Sequence, residues 1–499
     1  MYFIGLDAGT SGVKAVAFNE KGREYTREYA PYPYVQQRQG YLEIEPEFFI
    51  NAVYHVIKKT CEICGKKNIR AIAVSAFGEA FLAIDESGNA LTNIILSTDI
   101  RGRDEFGWLS SKIGLEVIVD KTGLVPSPTY SAPKMLWIKK HKPDVFENAR
   151  KYLLIEDYIQ FKLTGEMVID FSAASRTMCF NVKEGCWDKE ILKYLELGAE
   201  KFSSPVKSGQ VIGKINTETA NMLGLSRSTM VIAGGHDQPC GALGAGCIQT
   251  GDVANSCGTT ESITPVLKEA LKNEDILQYQ IPLEPFLIEG RYNTMAYNHT
   301  AGLALSWFID NIYYKKTGGN HQAAFVDLEN RCKNLSTSVM TLPHFSGAAT
   351  PYMDHASRAA FVGMKIGTTI EELYLSLIES LVFEMKFNLD NLNLCGILPK
   401  QMVVFGGGAK SELWLNLKAA ILDTELVIHE SEEVGALGAA IQCAVSTGVY
   451  GTHEEAIENM VRYKEVILPN HSLQESRARK YEIYCGLYRD LKSINHSIK

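Results

Sequence analysis

Ala233-Gly-Gly-His-Asp-Gln238, followed by Gly241-Ala-Leu-Gly-Ala-Gly246, is the stretch that decides the fold of this 499-residue chain. It sets one carboxylate, Asp237, in a glycine-lined turn between a predicted strand and a predicted helix of small residues. A carboxylate at such a turn can take a proton from a bound alcohol. Asp237 is therefore the candidate general base, although Asp is also common in turns and at helix N-caps for local hydrogen bonding.

Three further glycine-rich turns follow apolar runs that are typical of strands. They are Leu6-Asp-Ala-Gly-Thr-Ser-Gly12, Ser256-Cys-Gly-Thr-Thr260 and Val404-Phe-Gly-Gly-Gly-Ala409. Turns of this kind leave backbone N–H groups free to bind an anion. The turns together predict a nucleotide-binding cleft.

The order of predicted elements is repeated in the two halves of the chain. Strands at 2–7, 13–19 and 24–32, a helix from Pro46 and a strand at 69–75 give a β-β-β-α-β order. The second half repeats it less clearly, with strands at 252–256, 261–266, 401–405 and 425–429 and helices near 300–316, 370–392, 411–422 and 435–447. We therefore expect an α/β protein of two similar domains, residues 1–248 and 249–499.

Composition excludes several classes of protein. The formal net charge of −8 argues against nucleic acid as a partner. No apolar run reaches the roughly 18 residues that span a bilayer, and no basic signal segment opens the chain, so we expect a cytoplasmic protein without a membrane partner. The 11 cysteines lack zinc-finger spacing and fit a reducing compartment.

Two common nucleotide-binding signatures are missing. Gly209-Gln-Val-Ile-Gly-Lys-Ile215 is one residue shorter than a P-loop and lacks its Ser or Thr, so we interpret it as an ordinary loop. No GxGxxG turn with a downstream acid is present, which disfavours a dinucleotide-binding oxidoreductase.

Taken together, these motifs resemble the FGGY family of carbohydrate kinases from about residue 2 to residue 448. Tyr130-Ser-Ala-Pro-Lys-Met-Leu-Trp-Ile138 is similar to the first family signature, and Gly406-Gly-Gly-Ala-Lys-Ser-Glu-Leu-Trp414 to the second. The resemblance implies two ribonuclease-H-like (actin-like ATPase) domains with a cleft between them. It also implies ATP and Mg²⁺ in that cleft and a sugar or polyol substrate in the first domain.

The resemblance assigns roles to individual residues. Asp237 is the general base, and Asp7 faces Mg²⁺ and the phosphates through water, with capping of its own turn as the alternative. Lys14 is either a phosphate ligand or an exposed strand residue. Gly302 and Ser306 either contact the nucleotide or serve only the packing of their helix. The residues that would bind ATP are Gly9, Thr10, Ser11, Lys14, Gly258, Thr259, Gly302, Ser306, Gly407, Gly408 and Glu412.

Sugar recognition would use Gly78, Glu79, Asp99, Arg101, Asp237 and Gln238. Xylulokinases carry Met-His at positions 78–79, and glycerol kinases carry Arg-Glu there and Trp at position 97, where this chain has Ser97. The smaller side chains favour a pentulose, a hexulose or a larger polyol. A glycerol-type polyol kinase, a non-metabolic actin/Hsp70-like ATPase switch and a sugar-binding regulator remain alternatives, and the chain is a monomer or a homodimer.

Overall fold

Two mixed β-sheets with the same central strand order form the framework of the computed structural model, which describes residues 1–313 and 321–498. In the first sheet, Tyr2–Ala8 is antiparallel to the next strand of the chain and parallel to Ile69–Ala76, which is parallel to Met230–His236. The strands in spatial order are Val211–Lys214, Met230–His236, Ile69–Ala76, Tyr2–Ala8, Gly12–Asn19 and Glu24–Pro31.

The second sheet repeats this arrangement. Asp252–Cys257 is antiparallel to Glu261–Leu267 and parallel to Gln401–Phe405, which is parallel to Leu426–His429. The strands in spatial order are Leu283–Pro285, Tyr292–Thr294, Glu261–Leu267, Asp252–Cys257, Gln401–Phe405, Leu426–His429 and Tyr463–Ile467, with Ala296–Asn298 also paired to Glu261–Leu267. We call the sheets with their helices the first lobe and the second lobe. Both lobes are ribonuclease-H-like, as the repeated β-β-β-α-β pattern predicts.

Most helices cover the faces of these sheets. In the first lobe they are Pro46–Cys64, Arg103–Ile113, Leu115–Thr122, Ser131–His141, Pro143–Asn148, Ile155–Thr164, Phe171–Ser175, Lys189–Leu195, Thr217–Leu223 and Asp237–Gly244, with a 3₁₀ turn at Ala199–Lys201. In the second lobe they are Asn273–Tyr279, Gly302–Phe308, His321–Cys332, Ile370–Leu394, Glu412–Leu422, Val434–Ser446, His453–Met460 and His471–Ser497, with a π-helical turn at Ile309–Tyr313 and a 3₁₀ turn at Gly407–Lys410. Every helix among the described residues is too short or too polar to cross a bilayer.

Smaller sheets enlarge the first lobe beside its main sheet. An antiparallel sheet of five strands contains Val35–Arg38, Tyr41–Ile44, Ile94–Ile95, Phe81–Ile84 and Lys151–Leu154. Three strand pairs complete the fold: Val168–Asp170 with Ser204–Val206, Phe180–Asn181 with Cys186–Trp187, and Met340–Leu342 with Ala360–Val362.

Two helices of small residues join the lobes. A Cβ atom on Gly438 of Val434–Ser446 would lie 2.0 Å from the carbonyl oxygen of Cys240 in Asp237–Gly244. The helix Val434–Ser446 follows a strand of the second sheet, yet it packs on the first sheet, where a Cβ on Gly5 would lie 1.9 Å from the carbonyl oxygen of Ala436. Only glycine permits such backbone approach, so the small residues of these helices serve packing between the lobes.

Two predictions about local structure need correction. The segment Gly209–Ile215, predicted as a loop, contains the edge strand Val211–Lys214, which pairs with Met230–His236. The helix predicted near 300–316 changes to a π-helical turn at Ile309, and its last residues, 314–316, lie outside the described residues.

Candidate active site

The carboxyl ends of the parallel strands of both lobes face one cleft. A cavity of about 190 Å³ opens there, with Asp7, Asp237 and Gln238 from the first lobe on one wall. Ser256 and Gly406 of the second lobe lie on the opposite wall. Ligands of open α/β sheets bind at this end of the strands, so the cleft is the candidate site.

Asp237 is the first residue of its helix and is partly open to the cleft, with a side chain 34% exposed. Its Oδ1 atom accepts no hydrogen bond, although it lies 3.1 Å from Nε2 of His236. Burial raises the pKa of Asp237, the neighbouring His236 lowers it, and the carboxylates of Glu79 and Glu284 raise it. A partly exposed carboxylate with a raised pKa can accept a proton from a ligand in the cleft.

Asp7 shares this cavity from the end of the strand Tyr2–Ala8. Its Oδ1 accepts a hydrogen bond of 3.1 Å from Ser75, and Gly435 of the second lobe lies close to it. Burial and the charge of Asp237 raise the pKa of Asp7 to about 6. A buried carboxylate that faces a second carboxylate across a cavity favours a bound cation there.

A larger cavity of about 550 Å³ continues from Gly407 into the second lobe. Its lining is Gly258, Thr259, Gly302, Leu303, Leu305, Ser306, Gln322, Phe325, Val326, Glu329, Gly407, Gly408, Lys410, Ser411 and Trp414. Gly302 donates its N–H to the carbonyl of Gly258 at 3.0 Å, and a Cβ on Gly302 would lie 2.6 Å from that oxygen. This glycine is needed because the helix Gly302–Phe308 begins against the turn. Glycine-lined walls and an apolar side suit a nucleotide.

The other residues predicted to bind ATP lie outside the lining of these two cavities. Three tyrosines hold the carbonyl oxygens of the turn Gly9–Ser11: Tyr32 bonds Gly9, Tyr34 bonds Thr10 at 2.6 Å, and Tyr29 bonds Ser11 at 3.3 Å. Lys14 forms an ion pair of 2.8 Å with Glu433, and Glu412 is an exposed residue that pairs with Lys333 at 2.7 Å. The predicted contacts of Lys14 and Glu412 with ATP therefore compete with protein partners.

On the other side of Asp237, a buried arginine joins two carboxylates. Arg176 donates from Nε to Oε1 of Glu79 at 2.8 Å, and its other nitrogens bond Glu79 and Glu284. Among the described residues no side chain donates to Oε2 of Glu79. Glu79 has a left-handed backbone, with φ of 65°, which is unusual for a residue other than glycine and indicates a functional constraint.

Neighbouring residues support this carboxylate. Ser131 of the signature helix donates to the backbone carbonyl of Glu79 at 2.8 Å. Gly78 has no side chain, and a Cβ there would lie 2.8 Å from Cγ of Arg176, whose guanidinium stacks 5.2 Å from the ring of Tyr130. Gln238 accepts a hydrogen bond of 3.0 Å from Ser262 of the second lobe, and its side chain also hydrogen-bonds Asp237.

Asp99 and Arg101, which were predicted to bind sugar, lie close together. They are buried and bind each other. Arg101 donates two hydrogen bonds of 2.8 Å to Asp99, pairs with Glu43 at 2.7 Å and stacks on Tyr41. Lys134 then donates to the carbonyls of the preceding loop, and burial lowers the pKa of its ammonium to about 7. These polar groups hold this loop in place, and contact of Asp99 and Arg101 with sugar stays a prediction.

Sequence reasoning missed the charged residues that come from distant segments. Arg176 and Glu284 had no local motif, while His236 stood within the decisive stretch. Lys418 is a further case: its buried ammonium bonds Asn255 at 2.8 Å and pairs with Glu261, on the two strands that flank the Gly258 turn. The sequence signal that could have revealed Lys418 is its position as a charged residue among the apolar residues of the helix Glu412–Leu422.

Binding of Mg²⁺ would depend on the carboxylates of the cleft. Within residues 1–313 and 321–498, no cluster of three His, Cys, Asp or Glu side chains could enclose a metal ion. Mg²⁺ in phosphoryl-transfer sites is usually held by one or two carboxylates together with substrate phosphates. Asp7 fits that donor set.

Two family models match nearly the whole chain. The model described as FGGY family of carbohydrate kinases, N-terminal domain, matches residues 2–244, and that of the C-terminal domain matches residues 253–447. The xylulose kinase of Bacillus subtilis is 27% identical over 100% of this chain and 99% of its own length. Solved structures of ligand-bound xylulose kinase and of gluconate kinase, both from Lactobacillus acidophilus, are each 25% identical, with TM-scores of 0.90 and 0.89. They cover 100% and 98% of this chain, and the same shares of their own chains.

Proposed function

The chain belongs to the FGGY family of carbohydrate kinases and is an ATP-dependent sugar kinase, and on that premise we propose its substrate class and its base. It transfers the γ-phosphoryl group of ATP to a hydroxyl of an uncharged ketose, a pentulose or hexulose, or of a polyol. Asp237 is the general base for that hydroxyl. The observation that carries the proposal is the partly exposed carboxylate of Asp237 in the cleft, between the glycine-lined cavity and the Glu79–Arg176 pair.

Phosphoryl transfer requires mainly that two oxygens are held in line and that the charge on the transferred group is balanced. Gly258, Thr259, Gly407 and Gly408 line the larger cavity and have backbone groups suited to ATP phosphates. Gly302 and Ser306 line its other side. In the first lobe, the N–H of Gly9 donates to the carbonyl of Gly12, so Thr10 and Ser11 are the residues of this turn that would offer N–H groups. ATP therefore lies along the second lobe with its γ-phosphate directed to Asp237.

The cleft also suits Mg²⁺. Asp7 has a raised pKa because it is buried and faces Asp237, so a bound cation would relieve the repulsion between these carboxylates. Asp7 would hold the cation through water. When bound with ATP, Mg²⁺ neutralises charge on the transferred phosphoryl group. The protein itself supplies the base, the alignment and the exclusion of water.

The charge of the sugar side favours a neutral substrate. Arg176 is already held between Glu79 and Glu284, so its positive charge is balanced within the protein. Glu79, Glu284 and Asp237 together outnumber Arg176 and His236, and an added carboxylate would meet net negative charge. Oε2 of Glu79 and the amide of Gln238 suit the hydroxyl groups of a sugar. A sugar acid such as gluconate is disfavoured for this reason.

The remaining predicted residues have supporting roles in this proposal. Gly78 makes room for Arg176, and the Asp99–Arg101 pair fixes the adjacent loop. Glu79 occupies the position of the glycerol-kinase acid, which keeps a smaller polyol as an alternative substrate. We expect the enzyme to act in the cytoplasm, as a monomer or a homodimer.

Release of ADP from MgATP tests this function. The purified protein is assayed with pentuloses, hexuloses, polyols including glycerol, and gluconate, each compared with a reaction without sugar. We expect stimulation by one or more neutral sugars or polyols and none by gluconate. A preference for gluconate would contradict the charge argument. ATP turnover that no sugar changes would indicate an ATPase switch. Absence of ATP turnover with every sugar would indicate a sugar-binding regulator.

A further inference from the structure

The residue before the proposed base links it to the second lobe. His236 ends the strand Met230–His236, and its ring is buried. Its Nε2 lies 3.1 Å from Oδ1 of Asp237, and its Nδ1 lies 3.3 Å from Oε2 of Glu284. Glu284 belongs to Leu283–Pro285, at the edge of the second sheet. The imidazole therefore bridges two carboxylates of different lobes.

Glu284 is firmly held. Its Oε1 accepts from Arg176, its Oε2 accepts from Asn293 at 2.9 Å, and the side chain is 1% exposed. Burial alone would raise the pKa of Glu284, but Arg176 and His236 beside it hold the pKa at about 2. A buried carboxylate with these partners is a fixed negative charge at every pH of interest.

We propose that His236 and Glu284 form a positioning pair for Asp237, in which Glu284 fixes the imidazolium and the imidazolium orients the Asp237 carboxylate and balances its charge. The inference rests on the proposed function, since Asp237 must be the base. His236 and Glu284 do not touch the reacting atoms, so they are positioning residues. A base oriented by a second group and that group by a third is a recurring arrangement in enzymes.

The charges around the pair support this role. Burial lowers the pKa of His236, but the carboxylates of Glu284 and Asp237 raise it above its usual value. The groups that act on the charge of Asp237 from neighbouring elements are Glu79, Glu284, Asp7 and His236. Arg176 lies beyond Glu284 and acts on His236. Among the described residues, His236 is therefore the adjacent cation that favours ionised Asp237 against the carboxylates of Glu79 and Glu284.

The pH dependence of kcat/KM for an accepted sugar, at saturating MgATP, tests the pair in His236→Gln and Glu284→Gln. We expect the acidic limb of His236→Gln to move upward by about one pH unit, because Asp237 loses the cation that favours its ionised form. The limb of Glu284→Gln should move less, because this variant also removes a carboxylate that raises the pKa of Asp237. Turnover lost near neutral pH should recover at higher pH, with the KM for MgATP unchanged. Glu289→Gln, which removes an exposed carboxylate of the same segment, should leave the limb in place.

A merely structural role would lower kcat/KM by the same factor at every pH, and that result would overturn the inference. Should a variant fail to fold, NMR titration of the histidines of the wild-type enzyme gives a second measurement. The resonance of His236 is identified by comparison with the variant His236→Asn. It should stay in the imidazolium form at pH values above the ordinary histidine pKa of about 6.5. A neutral His236 below that pH contradicts the proposal. An active Asp237→Asn enzyme would refute the base itself, whereas an inactive one with an unshifted His236→Gln limb refutes only the pair.

Discussion

The ammonium of Lys14 in the first lobe lies 2.8 Å from Oε2 of Glu433, which directly precedes the helix Val434–Ser446 of the second lobe. Arg27 pairs with the same carboxylate at 2.6 Å, so Glu433 keeps a cationic partner if Lys14 turns to a ligand. The lysine side chain is 36% exposed, so a ligand can reach it. The ion pair of Lys14 with Glu433 is therefore compatible with the predicted contact of Lys14 with a phosphate of ATP.

Substitution of Lys14 separates these two roles. If Lys14 binds a phosphate of ATP, Lys14→Met should raise the KM for MgATP about tenfold, since a charge-assisted hydrogen bond contributes about 1.5–3 kcal/mol. Glu433→Gln keeps the ammonium and should leave this KM unchanged or lower it. Steady-state kinetics with varied MgATP measure both variants. Equal increases in the two would show that the ion pair, and not a phosphate contact, is what matters.

Removal of the base should separate binding from turnover. Asp237→Asn keeps the shape of the side chain but cannot accept the proton, so turnover should fall by a factor of about 10² or more. Binding of MgATP, measured by calorimetry, should stay nearly intact because the nucleotide cavity lies in the second lobe. Near-normal turnover in Asp237→Asn would place the base elsewhere.

The framework of the fold could be predicted because its signals are local. Strand periodicity around Tyr2–Ala8 and Asp252–Cys257, with glycine turns after each, is visible within short windows. The Glu79–Arg176–Glu284 network could not be predicted, because its members lie in different lobes and about 100 residues apart in sequence. These residues pair because the two lobes pack together, and a short stretch of sequence does not show which residues of two lobes will meet.

The loop around Asp99 illustrates the same limit. Its polar residues suggest ligand contact, and a sequence does not reveal that Glu43 and Tyr41 of another strand receive Arg101. Buried charges need such partners, and the partners come from tertiary packing. Lys418 was missed for the same reason, since its partners Asn255 and Glu261 lie across the sheet.

Lys418 should matter for stability as well as for the phosphate turn. Lys418→Met leaves the buried carboxylate of Glu261 without its cation, which should cost about 3–5 kcal/mol in the free energy of unfolding. Urea denaturation measures this loss, and the double variant Lys418→Met/Glu261→Gln should regain part of it. Lys333→Met breaks the exposed pair with Glu412 and should change stability by less than about 1 kcal/mol. Similar losses in both single variants would contradict the argument.

Asp7 should lower the stability of the free protein above about pH 6. Burial and Asp237 raise its pKa to about 6 from 3.8, so the folded state binds the proton more readily than the unfolded state between these values. The penalty for the charged form is complete above the folded pKa and fades as the pH falls through it. Asp7→Asn should therefore stabilise the ligand-free protein by about 1–2 kcal/mol at neutral pH and by less near pH 4.

Thermal melting of the wild type and Asp7→Asn at both pH values checks this difference, and activity should be lost in the variant. A stabilisation that is independent of pH would mean that charge repulsion in the cleft is not its source.

Gly78 should be required for sugar binding because Arg176 passes over it. A Cβ at this position would lie 2.8 Å from Cγ of Arg176 and 3.1 Å from Cδ2 of His236, so Gly78→Ala must displace the arginine that holds Glu79. We expect the KM for the sugar to rise about tenfold, the loss of roughly one hydrogen bond to a charged group, with the KM for MgATP unchanged. Gly213→Ala is the matched control, since a Cβ there meets no atom within 4 Å. Normal sugar affinity in Gly78→Ala would show that Arg176 can move without disturbing Glu79.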